Sequence, residues 1–327
     1  MKTRKCFSLM PVLAFAIPLT LGVNLVAAAD YPEKAIHLVV PFKAGGGTDN
    51  IARGIAKALE EVAGVSIVVD NVTGAGGIKG ILHALKSKPD GYTVLMDGSA
   101  DITAPLTFKD LPFSLDDFTY VGAFFTSPTY ILSHKDRKLT SLEELLKRAK
   151  ANPGKLTVGT AGPQGAQMIM ASAIKGITGA DFRIIPYSGG ADLKKALAGN
   201  QVDAGIIHAP VMLSAVKGGE INVIGTGLPL TKINYPPIRG TKTLKELGIN
   251  IEIGITRGLL VPKGTPPDVV AKLRKIARRA AKGQTFKKFG DTYGFPPVWL
   301  DHGQFEKLIR DELAMNKEIK AKYIDKK

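Results

Sequence analysis

Cysteine is almost missing from this chain: one in 327 residues, at Cys6. That residue lies inside a leader-like segment. Lys2, Arg4 and Lys5 supply a positive start, Cys6 to Val26 is apolar and uncharged, and Ala27, Ala28 and Ala29 give a small-residue cleavage site before Asp30. The pattern reads as a secretory signal peptide over residues 1–29, with an uncleaved anchor as the rival. Cys6 precedes the apolar run, which is the wrong place for a lipid-bearing cysteine. Cleavage would leave no disulfide and no thiol chemistry, so an exported chain of this size must rely on its core. No comparable apolar run follows, and the mature chain is expected to be soluble.

Catalytic constellations are also missing. The five histidines (His37, His83, His134, His208 and His302) include no pair at metal-ligand spacing. Neither G-x-S-x-G nor H-E-x-x-H occurs. Gly45–Gly47 is not followed by the Lys-Ser/Thr of a phosphate-binding loop. The best enzyme reading is a dinucleotide site at Gly74–Gly80, with Asp97 imitating the ribose-binding acid. Its third glycine stands one residue late, and an exported protein has no ready supply of nicotinamide cofactor. Acidic residues are few: 29 against 44 basic ones, a net charge of +15 that becomes +12 without the leader. Such a balance favours anionic partners, and export turns the choice away from nucleic acid.

What is present is an alternation of strands and helices. Ile36–Pro41, Ser66–Val69 and Tyr92–Met96 read as strands, with helices over Asp49–Val62 and Gly77–Ser87. The grammar recurs: strands at Lys155–Gly159, Phe182–Pro186 and Ala204–Ile207, helices at Gln167–Ile177 and Asp192–Ala198. Val40, Val69 and Leu95 match Val158, Ile185 and Ile207 at a steady offset, which predicts two similar lobes built on parallel sheets. Tyr130–Ser133 and Gly254–Pro262 are read as crossing segments. Two helices follow: one carries Val269, Leu273, Ile276 and Ala280, and the last runs from Gly303 towards Ile324. The expected organisation is lobe 1 over residues 30–131 plus 254–327 and lobe 2 over residues 132–253, with the C-terminal helices packed back on lobe 1.

Ligands of parallel sheets bind at the carboxyl ends of strands. Each lobe has a glycine loop there, running into a helix N-terminus. The first is Phe42, Lys43, Ala44, Gly45, Gly46, Gly47, Thr48 and Asp49. The second is Thr160, Ala161, Gly162, Pro163, Gln164, Gly165, Ala166 and Gln167. Glycine lets the backbone aim N–H groups at a ligand, and the helix dipole adds partial positive charge. Two such loops across a cleft would hold a small anion, most simply a carboxylate; the plain alternative is a pair of tight turns. His208 and Ser99 end corresponding strands in the two halves, where each is either a cleft residue or an ordinary structural one. Arg257 interrupts an apolar segment and must meet either an internal acid or a ligand carboxylate. If His208 or Arg257 touches ligand, a di- or tricarboxylate is expected. From Lys272 to Lys288 there are eight basic residues and no acid: a solvated helix face, or a docking surface for lipid, polyanion or a partner.

An ordered set of short motifs carries a resemblance. It comprises Tyr31-Pro32-Glu33-Lys34, Val39-Val40-Pro41-Phe42 with Gly45-Gly46-Gly47-Thr48-Asp49, Gly74-Ala75-Gly76-Gly77, Pro89-Asp90-Gly91-Tyr92-Thr93, Ala151-Asn152-Pro153-Gly154-Lys155-Leu156, Pro186-Tyr187-Ser188-Gly189-Gly190, Gly199-Asn200-Gln201-Val202-Asp203 and Leu260-Val261-Pro262-Lys263-Gly264-Thr265-Pro266. In this order they resemble the tripartite tricarboxylate transporter substrate-binding proteins, the Bug family. The resemblance implies an α/β, two-lobed, Venus-flytrap receptor in the periplasm, not an enzyme. It would be a monomer without cofactor or metal that closes on a small organic acid and delivers it to integral-membrane permease subunits. It also implies that the two glycine loops grip one carboxylate through backbone groups and ordered water, with Tyr187, His208 and Arg257 as candidates for the rest of the ligand.

Overall fold

The computed structural model describes residues 31–208, 212–228, 240–293 and 297–325. The expected leader, residues 1–29, lies outside the described residues. From Pro32 onward the chain forms a compact unit.

The first half begins β1 (Ile36–Val40), α1 (Gly47–Ala63), β2 (Ile67–Asn71), α2 (Ile78–Leu85), β3 (Thr93–Gly98) and α3 (Ser99–Phe108). β1 pairs in parallel with β2 on one side and β3 on the other. Apart from His37 its residues are buried, as expected for a strand covered on both faces. The second half repeats the pattern: α4 (Leu142–Ala151), β5 (Thr157–Ala161), α5 (Ala166–Thr178), β6 (Arg183–Tyr187), α6 (Gly190–Ala198), β7 (Ala204–His208), α7 (Leu213–Lys217) and β8 (Ile221–Thr226). Here β5 lies in parallel between β6 and β7. The strand orders β2-β1-β3 and β6-β5-β7 correspond, so the repeat read from the valine and isoleucine spacing is a repeat of topology.

Two long strands join the halves. β4 (Phe118–His134) has 17 residues, far more than the four of Tyr130–Ser133 expected from the sequence. Gly122 and Pro128 made the run look broken. In the structure Gly122 lies where the register shifts, and Pro128 sits opposite Gly254. β9 (Gly254–Pro262) runs antiparallel between β3 and β4. β4 then continues into the second half, where it pairs antiparallel with β7 and β8. The result is one ten-stranded sheet among the described residues, bent into two parallel-stranded halves around an antiparallel seam. Thr126 and Thr256 face each other across that seam, their hydroxyl oxygens 2.9 Å apart.

The chain closes with α8 (Pro267–Lys282), α9 (Gln284–Tyr293), β10 (Leu300–Asp301) and α10 (His302–Ile319). α8 and α9 pack on α1, and α10 packs on α3 and β4, as the return to the first half requires. The return is not complete: α10 also touches α5, and the turn after it sets Tyr323 against Gly176 of the second half. α3 went unread in the sequence because its polar residues (Ser99, Asp101, Thr103 and Thr107) are spread around the helix rather than gathered on one face and Pro105 interrupts it, which leaves no amphipathic period.

Candidate functional site

A cleft of about 830 Å³ opens at the carboxyl ends of the parallel strands of both halves. From the first half it is lined by the β1–α1 loop (Phe42, Lys43, Gly46, Gly47 and Thr48), the β2–α2 loop (Thr73 to Ile78) and α3 (Ala100, Asp101, Ala104, Pro105 and Lys109). From the second half come the β5–α5 loop (Ala161 to Gln167), the β6–α6 loop (Ser188 to Asp192) and His208 at the end of β7. Another cavity, of about 600 Å³, lies by the seam at Thr126, Gly254 and Thr256, and none of the glycine loops reaches it.

Four helices, α1, α2, α5 and α6, start at this cleft, and with α3, whose start is buried beside it, they share one feature. The residues preceding α1, α2, α3, α5 and α6 are Gly46, Gly77, Gly98, Gly165 and Gly189, and none of them has a side chain to cap its helix. Away from the cleft two helices carry ordinary caps: Ser141 accepts from the Glu144 amide at α4, and Asp301 from the Gln304 amide at α10, while α7 and α8 begin after Met212 and Pro266 without a side-chain cap. A helix start leaves its first N–H groups without intrahelical partners. Where Ser or Asp stands, a side chain satisfies one of them. At α1, α5 and α6 glycine leaves the first of them open to a ligand, and the dipoles add partial positive charge, whereas at α2 the Ile78 and Lys79 amides donate to the Ala75 and Gly74 carbonyls. The cleft is thus built to receive negative charge on backbone groups.

The loops are braced from behind. Asp49 is almost fully buried and does not line the cleft. One carboxylate oxygen accepts from the Gly45 amide at 2.8 Å and Arg53 Nε at 2.9 Å, the other from Asn71 Nδ2 at 2.9 Å. Burial alone would raise the pKa of this acid, but those hydrogen bonds outweigh it and hold the carboxyl below the usual range. Gly45 adopts φ +75°, a conformation that side chains disfavour, and Asp49 fixes it there. In the second loop the buried Thr160 donates to the Gly162 carbonyl at 3.2 Å, while the Gly162 amide donates to the Tyr187 carbonyl at 2.8 Å.

Of the residues singled out in the sequence, the structure brings Phe42, Lys43, Gly46, Thr48, Ala161, Gly162, Gln164, Gly165, Ala166, Gln167 and His208 together at the cleft. Asp49 and Thr160 are buried and Tyr187 half-buried outside that lining, and Ala44 and Gly45 are exposed but do not line it. Ser99 is fully buried, and its hydroxyl accepts from the Thr256 amide at 3.2 Å. Arg257 is buried too: its Nη1 lies 3.0 Å from Asp101 Oδ2, the internal acid that was one of its two expected partners. Asp101 is the member of that pair that reaches the cleft.

His208 lines the cleft with Nδ1 2.9 Å from Thr129 Oγ1. Burial, reinforced by the positive charge of Arg257, pushes its pKa down to about 3, so the ring is neutral at physiological pH. It offers the cleft a hydrogen bond rather than a charge. The cationic side chains in the lining are Lys43 and Lys109, against the acids Asp101 and Asp192.

Sequence reasoning passed over the β2–α2 and β6–α6 loops as binding elements, although Gly74-Ala75-Gly76-Gly77 and Ser188-Gly189-Gly190 were visible. The overlooked signal is that every parallel strand of the sheet except β7 ends in a glycine-capped helix start. Gly74–Gly77 instead suggested a dinucleotide loop, and the structure removes the support for that reading. Asp97 is fully buried and accepts from the Gly98 amide at 2.8 Å. Burial, together with the nearby Asp101, raises its pKa well above the usual carboxylate value. β1 also separates β2 from β3, so the acid and the loop are not on neighbouring strands.

Comparison with known proteins gives the same outline. Residues 51–324 match the model of the tripartite tricarboxylate transporter family receptor. A UPF0065 protein of Bordetella pertussis is 30% identical over 310 residues, covering 94% of this chain and 95% of its own. The structure of the periplasmic binding protein BugD is similar with a TM-score of 0.76 and 28% identity, covering 89% of this chain and 98% of that one. The R. palustris protein Rpa4515, solved with adipate, is similar with a TM-score of 0.76 and 25% identity, covering 90% and 98%.

Proposed function

The chain belongs to the tripartite tricarboxylate transporter receptor family, and on that premise we propose that it is an exported receptor, not an enzyme. It captures a small organic acid between its two halves and hands it to membrane permease subunits. The observation that carries this reading is the set of four glycine-capped helix starts around one cleft. One ligand carboxylate sits between the β1–α1 and β5–α5 loops and accepts from their backbone amides. The halves assigned from the sequence, residues 30–131 with 254–327 and residues 132–253, move about the Thr126–Thr256 seam to close over it.

The far end of the ligand meets a mixed surface. Arg257 is committed to Asp101 and His208 is neutral, so a second carboxylate is met by Lys43, Lys109 or further helix starts. The adipate bound to the R. palustris relative suits that arrangement, and a di- or tricarboxylate remains the leading class.

Calorimetry and thermal shift with a panel of mono-, di- and tricarboxylates test the proposal. Ligand at about 100 times Kd stabilises the folded state by roughly 2.7 kcal/mol. A panel in which no acid shifts the melting curve, or in which a dinucleotide binds and turns over, would sink it.

A further inference from the structure

We propose that α8 and the start of α9 form a docking surface for an anionic phospholipid bilayer. The side chains of Lys275, Arg278, Arg279 and Lys282 recur at intervals of three and four residues, which puts them on one stripe of α8. All four are exposed, as are Lys287 and Lys288 on α9. None of the six side chains makes an ion pair or hydrogen bond among the described residues. The opposite face of α8 is the core face, with Val270, Leu273, Ala277, Ala280 and Ala281 buried. The nearest acids in sequence, Asp268 and Asp291, only bracket the stripe, and Glu61 of the adjoining α1 is bound to Thr285.

The chemistry of the stripe selects among anionic partners. Protein hot spots are built on buried aromatic and aliphatic anchors, and single-stranded nucleic acids stack on aromatic rings. This face offers neither: among the described residues the exposed large hydrophobics are Val68 and Ile177, both on other elements. A straight row of cations, about 10 Å from Lys275 to Lys282 along the helix axis, without a pocket or an anchor, fits a flat and laterally fluid array of negative charge. Basic residues near such a surface each contribute, and each strengthens binding roughly fivefold. The contact is weak, reversible and salt-sensitive, which suits a protein that must reach a membrane and leave it. The proposal does not depend on which ligand the cleft takes.

Co-sedimentation of the full chain with vesicles tests it. Vesicles of phosphatidylcholine with about 30% phosphatidylglycerol are compared with pure phosphatidylcholine, at about 50 and 500 mM NaCl. Residues 1–29 contribute equally to every variant, and their cations Lys2, Arg4 and Lys5 add the same anionic preference to each, so the comparison between variants carries the test. The expected result is a preference for the anionic vesicles of on the order of 1,000-fold or more at low salt, lost at high salt. The variant Lys275→Gln, Arg278→Gln, Arg279→Gln, Lys282→Gln lowers the anionic partition by on the order of 600-fold, about fivefold for each cation removed, with an unchanged melting curve. A control removes the same charge from exposed sites in the other half (Lys147→Gln, Lys150→Gln, Lys195→Gln, Lys217→Gln) and loses less than about tenfold. No preference for anionic lipid, or equal loss in the two variants, overturns the proposal. So does binding to duplex DNA or polyglutamate without binding to vesicles.

Discussion

Arg257 shows how a single side chain changes meaning once its neighbour is known. In the sequence it was a cation stranded in an apolar segment; in the structure its charge is answered by Asp101. Arg257→Met keeps the apolar stem and strands the acid. Breaking a buried pair this way costs about 3 kcal/mol, so melting should fall and all ligands should weaken together. Calorimetry on one monoacid and one diacid checks this: selective loss of the diacid with normal melting would put Arg257 on the ligand after all. His208 makes a prediction about pH. Its pKa of about 3 keeps it neutral from about pH 5 to 8, so affinity for an acid fully ionised over that range should stay flat. Affinity that climbs below about pH 6.5 would mean that an imidazolium holds the anion. Stability carries the opposite signature. The unfolded histidine binds a proton near pH 6.5 and the folded one resists, so stability is lost as pH falls from about 6.5 towards 3. His208→Gln should flatten that part of the melting-temperature profile.

At the level of elements the working unit is a strand, a glycine and a helix start. Gly46 has extended backbone angles, which a side chain tolerates, but a Cβ there would stand 3.1 Å from the Lys43 carbonyl and any branch would crowd the loop. Gly46→Val should therefore abolish carboxylate binding while shifting the melting temperature little. Lys43→Ala should weaken binding only modestly, because the amides and not the ammonium hold the charge. Calorimetry compares the two, and equal complete loss would transfer the anion to Lys43. Much of this unit was legible in advance. Continuous apolar strands and the repeated Gly loops announced two parallel sheets and the place where they open. What stayed hidden has physical causes. Asp49 read as a ligand contact because side chains at a helix start usually face the opening, yet its hydrogen bonds to Gly45, Arg53 and Asn71 turn it inward. Strand β4 was cut short because Gly122 and Pro128 are breakers in isolation, and only pairing with β9 shows that the sheet absorbs them. α3 scatters Ser99, Asp101, Thr103 and Thr107 around its axis, so no period marks it.

Across the whole molecule the sheet is not assembled in the order of the chain. β9 lies between β3 and β4, so Leu95 waits for Leu260 and Tyr120 for the same residue. Until residue 262 has been made, β3 and β4 each present an open edge, the kind of edge that pairs with the wrong strand or recruits another chain. Contacts this distant along the chain also slow folding, because the loop must close before the pairing rewards it. A chain ending at residue 253 should accordingly be degraded by a dilute protease at a rate close to that of an unfolded protein, while the full chain resists; a protease-resistant truncated chain would show that the first half folds without its closing strand. The same late insertion has a use. For a chain exported as proposed, threaded end-first through a narrow channel, this delays locking of the first half until residue 262 has emerged.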